Sequence, residues 1–105
     1  MISSDFSVTV SATLGPRPGR LSLQTENGDI TGSLALLGQE NYFQGKLLRK
    51  NHYVVSFIWN LSGEALECDM LLAVRENLLS GVIVSSRGCW EVEGTRLDGD
   101  AQSKM

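Results

Sequence analysis

From Asp5 to Leu14 the chain reads DFSVTVSATL, and its polarity switches at every residue. Phe6, Val8, Val10, Ala12 and Leu14 fall on one face; Asp5, Ser7, Thr9, Ser11 and Thr13 fall on the other. A two-residue period held over this length predicts a β-strand with one face turned to a core. GPRPG (15–19) carries turn chemistry, because proline fixes φ and glycine permits positive φ. RLSLQT alternates again through Leu21 and Leu23, and ENGD holds the Asn27-Gly28 pair that favours a tight hairpin. DITGSLALL sets Ile30, Leu34 and Leu36 on one face, with Gly32 between them. ENYFQGKLLR then places Asn41, Phe43, Gly45 and Leu47 opposite Tyr42, Gln44, Lys46 and Leu48.

The second half keeps the rhythm. HYVVSFIWNL puts Tyr53, Val55, Phe57, Trp59 and Leu61 inward, but Val54 and Ile58 make its outer side apolar too, which predicts a covered outer face. ALECDMLLAV sets Leu66, Cys68, Met70, Leu72 and Val74 inward, with Glu67 and Asp69 outward. The longer stretch EALECDMLLAVRE also fits helical i, i+4 spacing, yet a helix there would interrupt the hairpin rhythm on both sides. LLSGVIVSS and CWEVEGTRL complete the series, with Trp90 and Val92 opposed to Glu91 and Glu93. About eight short strands joined by short links predict an antiparallel up-and-down meander. Such a meander avoids exposed edges most simply by closing into a barrel. The expected organisation is one all-β domain over residues 1–97, followed by a frayed tail, 98–105, without apolar pattern.

Two segments echo each other. GDITGSLALLGQENYFQGKLL and NLLSGVIVSSRGCWEVEGTRL share both glycines and the final leucine, with Gly81 and Gly94 standing 49 residues after Gly32 and Gly45. The echo predicts one structural unit used twice: a strand with a glycine inside it, a turn, and a second strand ending in x-G-x. Glycine within a strand marks a bulge, a bend or a close backbone approach, as a tightly curved sheet requires. ENYFQG (40–45) also resembles a potyviral protease site, but Glu40 stands one residue too close to Phe43. Its place in the echo makes it a native strand.

The glycine-punctuated strands, ending in GCWEVEGTRL, resemble small calycin-like barrels of the lipocalin and streptavidin type. The likeness covers roughly residues 5 to 97 and is one of pattern, without a signature motif. It implies an eight-stranded barrel whose interior is either filled or holds one small apolar or aromatic ligand. On that reading Phe43, Tyr53, Phe57, Trp59 and Trp90 are the candidate ligand-binding residues, because large rings with polar handles suit such a ligand.

Composition narrows the classes. The chain has 105 residues, 42% apolar and 20% charged, enough for one core. A net charge of −3 argues against nucleic acid, and the small basic cluster Lys46, Arg49 and Lys50 beside Tyr42 and Phe43 does not reverse it. No apolar run reaches membrane-spanning length and no secretory leader pattern opens the chain, so a cytoplasmic protein is expected. Cys68 and Cys89 then read as reduced thiols, and the sequon at Asn60 as idle.

The candidate chemistry is sparse. Glu67/Asp69 and Glu91/Glu93 are acid pairs on strand faces directed to solvent, and His52 stands at a strand start beside Lys50 and Asn51. No nucleophile elbow and no metal-ligand spacing is present, so no catalytic residue, metal or cofactor is assigned. Cys89, near a turn, is the more accessible thiol. The outward apolar residues Leu37, Leu48, Val54, Ile58 and Val82 would form an exterior patch if they adjoin, which predicts a homo-oligomer. The first expectation is therefore a non-enzymatic binder of a small apolar ligand. The second is an assembly module with a filled core, and the third is an enzyme on the same scaffold.

Overall fold

All eight predicted strands form. The computed structural model describes residues 2–12, 15–36, 38–61 and 63–97. In chain order the strands are β1 (Ile2–Ala12), β2 (Gly15–Glu26), β3 (Asp29–Leu36), β4 (Gln39–Arg49), β5 (His52–Leu61), β6 (Glu64–Arg75), β7 (Leu78–Ser85) and β8 (Gly88–Leu97). Each pairs antiparallel with the next, and β8 pairs back onto β1, so the meander closes into a barrel. The stretch with helical spacing is strand β6, because its alternation matches a register shared with both neighbours. The expected tail, 98–105, lies outside the described residues, as does Leu37.

GPRPG is a correction: it belongs to β2, where Pro18 and Pro16 lie opposite Thr9 and Ser11. The physical reason is local. β3 ends at Leu36, opposite Gly19, so the start of β2 has a strand neighbour on the β1 side only. Proline lacks an N–H and is tolerated where a ladder is one-sided.

The inward residues read from the alternation fill the barrel. Phe6, Leu21, Ile30, Leu34, Met70 and Ile83 are fully buried, with Val8, Val55, Leu72 and Val92 packed among them. Glycine makes this possible at specific points. A side chain on Gly32 would overlap the Ser22 carbonyl and stand 2.8 Å from the Phe43 ring; one on Gly45 would overlap the Val54 carbonyl. Both positions are places where strands approach too closely for a Cβ.

The internal echo extends to the whole fold. Gly32 pairs with Phe43 and Ile30 with Gly45; 49 residues on, Gly81 pairs with Val92 and Leu79 with Gly94. Phe6–Leu21 and Leu23–Gly32 are matched in the same way by Val55–Met70 and Leu72–Gly81. Even the turn contacts repeat: Leu47 N–H donates to the Gly28 carbonyl at 2.9 Å, and Arg96 N–H to the Asn77 carbonyl at 2.8 Å. The barrel is thus two four-stranded halves in one register. The seams differ: β4 carries an irregularity between Leu47 and Arg49 where it meets β5.

Candidate functional site: the aromatic end and the outer face

Of the five aromatic residues proposed from sequence, three gather at one end of the barrel. The Phe57 and Trp59 ring centroids are 6.4 Å apart and tilted by 42°, and Trp59 meets Trp90 edge-to-face at 5.4 Å and 76°. Phe57 and Trp59 are buried and Trp90 is half-buried. This is ordinary aromatic packing geometry. The remaining two stand elsewhere. Phe43 is buried against Gly32 in the wall, and half-buried Tyr53 lines a shallow recess with Leu47 and the turn around Asn27 and Gly28.

Position along a strand sets height in the barrel, and that is why one inward-facing set divides. β5 alone carries Tyr53, Phe57 and Trp59, yet Tyr53 lies opposite Leu72 while Trp59 lies opposite Leu66. Arg96 occupies the Tyr53 end. Its guanidinium sits 5.0 Å from the Phe6 ring centroid and donates to Ser4 Oγ at 2.6 Å and to the Glu76 carbonyl at 3.0 Å. A cation over a ring, with each of its two terminal nitrogens donating a hydrogen bond, is a plug at that end. At the aromatic end Asn41 is buried, and its Nδ2 donates to the Leu34 carbonyl at 3.1 Å.

The other chemistry-bearing groups point outward or are inert. Glu67, Asp69, Glu91 and Glu93 are exposed, as the alternation predicts, and Ser56 Oγ donates to Asp69 at 2.9 Å. His52 Nδ1 contacts the Lys50 carbonyl at 2.8 Å in the turn. Cys68 is buried, and burial, helped by the Asp69 carboxylate, pushes its thiol above the usual range, which disfavours the nucleophilic thiolate. Cys89 is exposed. No group of three or more metal-ligating side chains occurs among the described residues.

Two open grooves, of about 800 and 810 Å³, lie on the barrel exterior. Between them runs an apolar row that crosses three strands: Val54 on β5 pairs with Leu71 on β6, and Leu71 with Val82 on β7. Leu71 is 43% exposed, and Val84 and Ile58 nearby are also exposed. Val54 and Val82, proposed from sequence, therefore adjoin through a residue the sequence reading did not assign. The strict alternation of β6 was the signal available, since Leu71 lies between inward Met70 and Leu72. Leu48 is exposed on β4, separate from this row.

The first half supplies the contrast. The positions equivalent to Val54, Leu71 and Val82 are Asp5, Ser22 and Ser33, which form the same cross-strand row. There Arg20 bridges Asp5 at 2.9 Å, and the hydrogen bonds from Arg20 and then Ser22 hold the Asp5 carboxyl below its usual range. Ser33 Oγ donates to Glu40 at 3.0 Å. The chain matches no protein-family model, no curated protein and no solved structure.

Proposed function

We propose that this protein is a non-enzymatic interaction module: a calycin-like barrel with a filled core that works through the outer face of β5, β6 and β7. The observation that carries the reading is the row Val54–Leu71–Val82. The barrel frame does not require it, because the other half builds the same frame with Asp5, Ser22 and a buried, hydrogen-bonded Ser33 in those places. Apolar surface that the fold does not need is surface available to a partner. The packed interior supports the same reading, since side chains from all eight strands occupy the space a ligand would take. The free thiols fit a reducing compartment such as the cytoplasm.

A second reading keeps a small aromatic or apolar ligand, held at the aromatic end by Trp59, Trp90 and Phe57. Half-buried Trp90 is what favours it, because a ring partly open to solvent can be covered. Tryptophan emission titrated with a panel of hydrophobic ligands, beside sedimentation over a concentration series, separates the two. The interaction reading expects a mass that changes with concentration or added partner, and no saturable emission change. A saturable shift that disappears in Trp90→Ala would replace it with the ligand reading.

A further inference from the structure

Resting on the interaction-face reading, we infer that the occupant of this face is a second copy of the chain, docked antiparallel about a two-fold axis crossing β6 at Leu71. The outward residues of β6 run Glu67, Asp69, Leu71, Ala73, Arg75. Glu67 and Arg75 are both exposed, and neither forms an ion pair among the described residues. They lie four residues to either side of Leu71, about 13 Å away in opposite directions at the usual strand rise. A two-fold axis lying in the interface, perpendicular to β6 at Leu71, reverses the strand and keeps the cross-strand row on itself. Val54, Leu71 and Val82 then stack on their own copies, and each Glu67 faces the partner's Arg75.

The reversed strand is what makes the charges meet. With the axis laid along β6 instead, acidic ends would face acidic ends and basic ends basic ends, which costs free energy. The two-fold also satisfies closure, since the same patch serves both subunits. The first half again acts as a control: its counterparts of Glu67, Leu71 and Arg75 are Pro18, Ser22 and Glu26, with neither an apolar centre nor opposed charges. Three strands by nine residues cover about 400 Å². That is half of the roughly 800 Å² each partner gives to a standard interface. The dimer is accordingly weak and concentration-dependent.

Sedimentation velocity of the full chain from low micromolar to submillimolar concentration tests the geometry. Leu71→Ser, which installs the first-half residue, should weaken dimerisation at least tenfold, while Ser22→Ala should leave it unchanged. Glu67→Arg and Arg75→Glu should each weaken it about tenfold by placing like charges opposite each other. The double exchange Glu67→Arg/Arg75→Glu should restore it to within about threefold of the parent. Circular dichroism of each variant keeps loss of folding apart from loss of docking. A dimer sensitive to Leu71→Ser but indifferent to the charge exchanges overturns the antiparallel arrangement and leaves the face intact. A dimer indifferent to Leu71→Ser overturns the face itself. A chain monomeric throughout overturns self-association and assigns the face to a different protein.

Discussion

The first four strands and the last four share a register, a turn plan and a set of glycines, yet the outward row that crosses each half differs in chemistry. Asp5, Ser22 and Ser33 in one half stand where Val54, Leu71 and Val82 stand in the other. The interiors differ in size where Val10 corresponds to Trp59 and Leu21 to Met70, and in kind where the buried amide Asn41 corresponds to Trp90. What the repeat holds fixed is the requirement of the fold, and what it lets vary is open to function. Curvature belongs to the first category where Gly32 and Gly45 are matched by Gly81 and Gly94, whereas the close approach at Gly19 has no glycine counterpart, Cys68 standing in its place. The outer apolar row belongs to the second.

A methyl group added at Gly32, Gly45, Gly81 or Gly94 tests the shared curvature of the two halves most severely. At Gly45 a Cβ would overlap the Val54 carbonyl and lie 2.6 Å from Val55 Cα; at Gly32 it would meet the Ser22 carbonyl and the Phe43 ring. At Gly94 the neighbours are Ser7 O and Val8 Cγ1, both at 2.6 Å. Backbone cannot yield as a side-chain methyl can. Gly45→Ala and Gly32→Ala are expected to cost more than about 3 kcal/mol, and Gly94→Ala about 1–3 kcal/mol. Equilibrium urea unfolding of the alanine series reads the order. If Gly94→Ala proved the most damaging, the first half would not be the tighter one.

The second comparison is inside, at the aromatic end. Trp59→Ala removes a buried ring that packs on Phe57 and Trp90, and is expected to cost about 3–5 kcal/mol. Its counterpart Val10→Ala removes far less apolar surface, and about 2 kcal/mol is expected. Denaturant midpoints at a constant m-value measure both. Equal costs would mean that Trp59 contributes little packing, and would favour its availability to a ligand.

Most of the fold was legible in the sequence because alternation assigns every strand residue to a face without reference to its neighbours. Phe6, Val55 and Met70 could be placed inside from their own segments alone. Lateral adjacency is another matter. Whether Val54 touches Val82 depends on the register of β5 with β6 and of β6 with β7, which turn lengths fix and polarity does not. That is why the outer patch was foreseen in part while Leu71, the residue that joins it, was not. Height along the barrel obeys the same limit. Phe43 and Tyr53 share a face with Trp59, and register separates them from it. GPRPG misled for a complementary reason: its local chemistry signals a turn, but a one-sided ladder lets β2 run through it.

The smallest effect concerns the two turns that the repeat superposes. Asn27 and Glu76 both adopt φ 55°, the left-handed conformation. Asparagine reaches it at little cost because its short side chain bonds locally, whereas a glutamate brings its Cβ close to the following carbonyl without that return. The Glu76 carbonyl is fixed by the Arg96 guanidinium, so the turn cannot relax without loosening the plug at that end of the barrel. Glu76→Asn should therefore raise stability by about 0.5–1 kcal/mol, roughly 3–6 °C in Tm. Asn27→Glu should lower it by a similar amount. A thermal melt of the two variants decides the point: opposite shifts of similar size mean that the turns are the same device, one of them poorly filled. A neutral Glu76→Asn would mean that the Arg96 contact, and not the turn residue, sets the conformation in the second half.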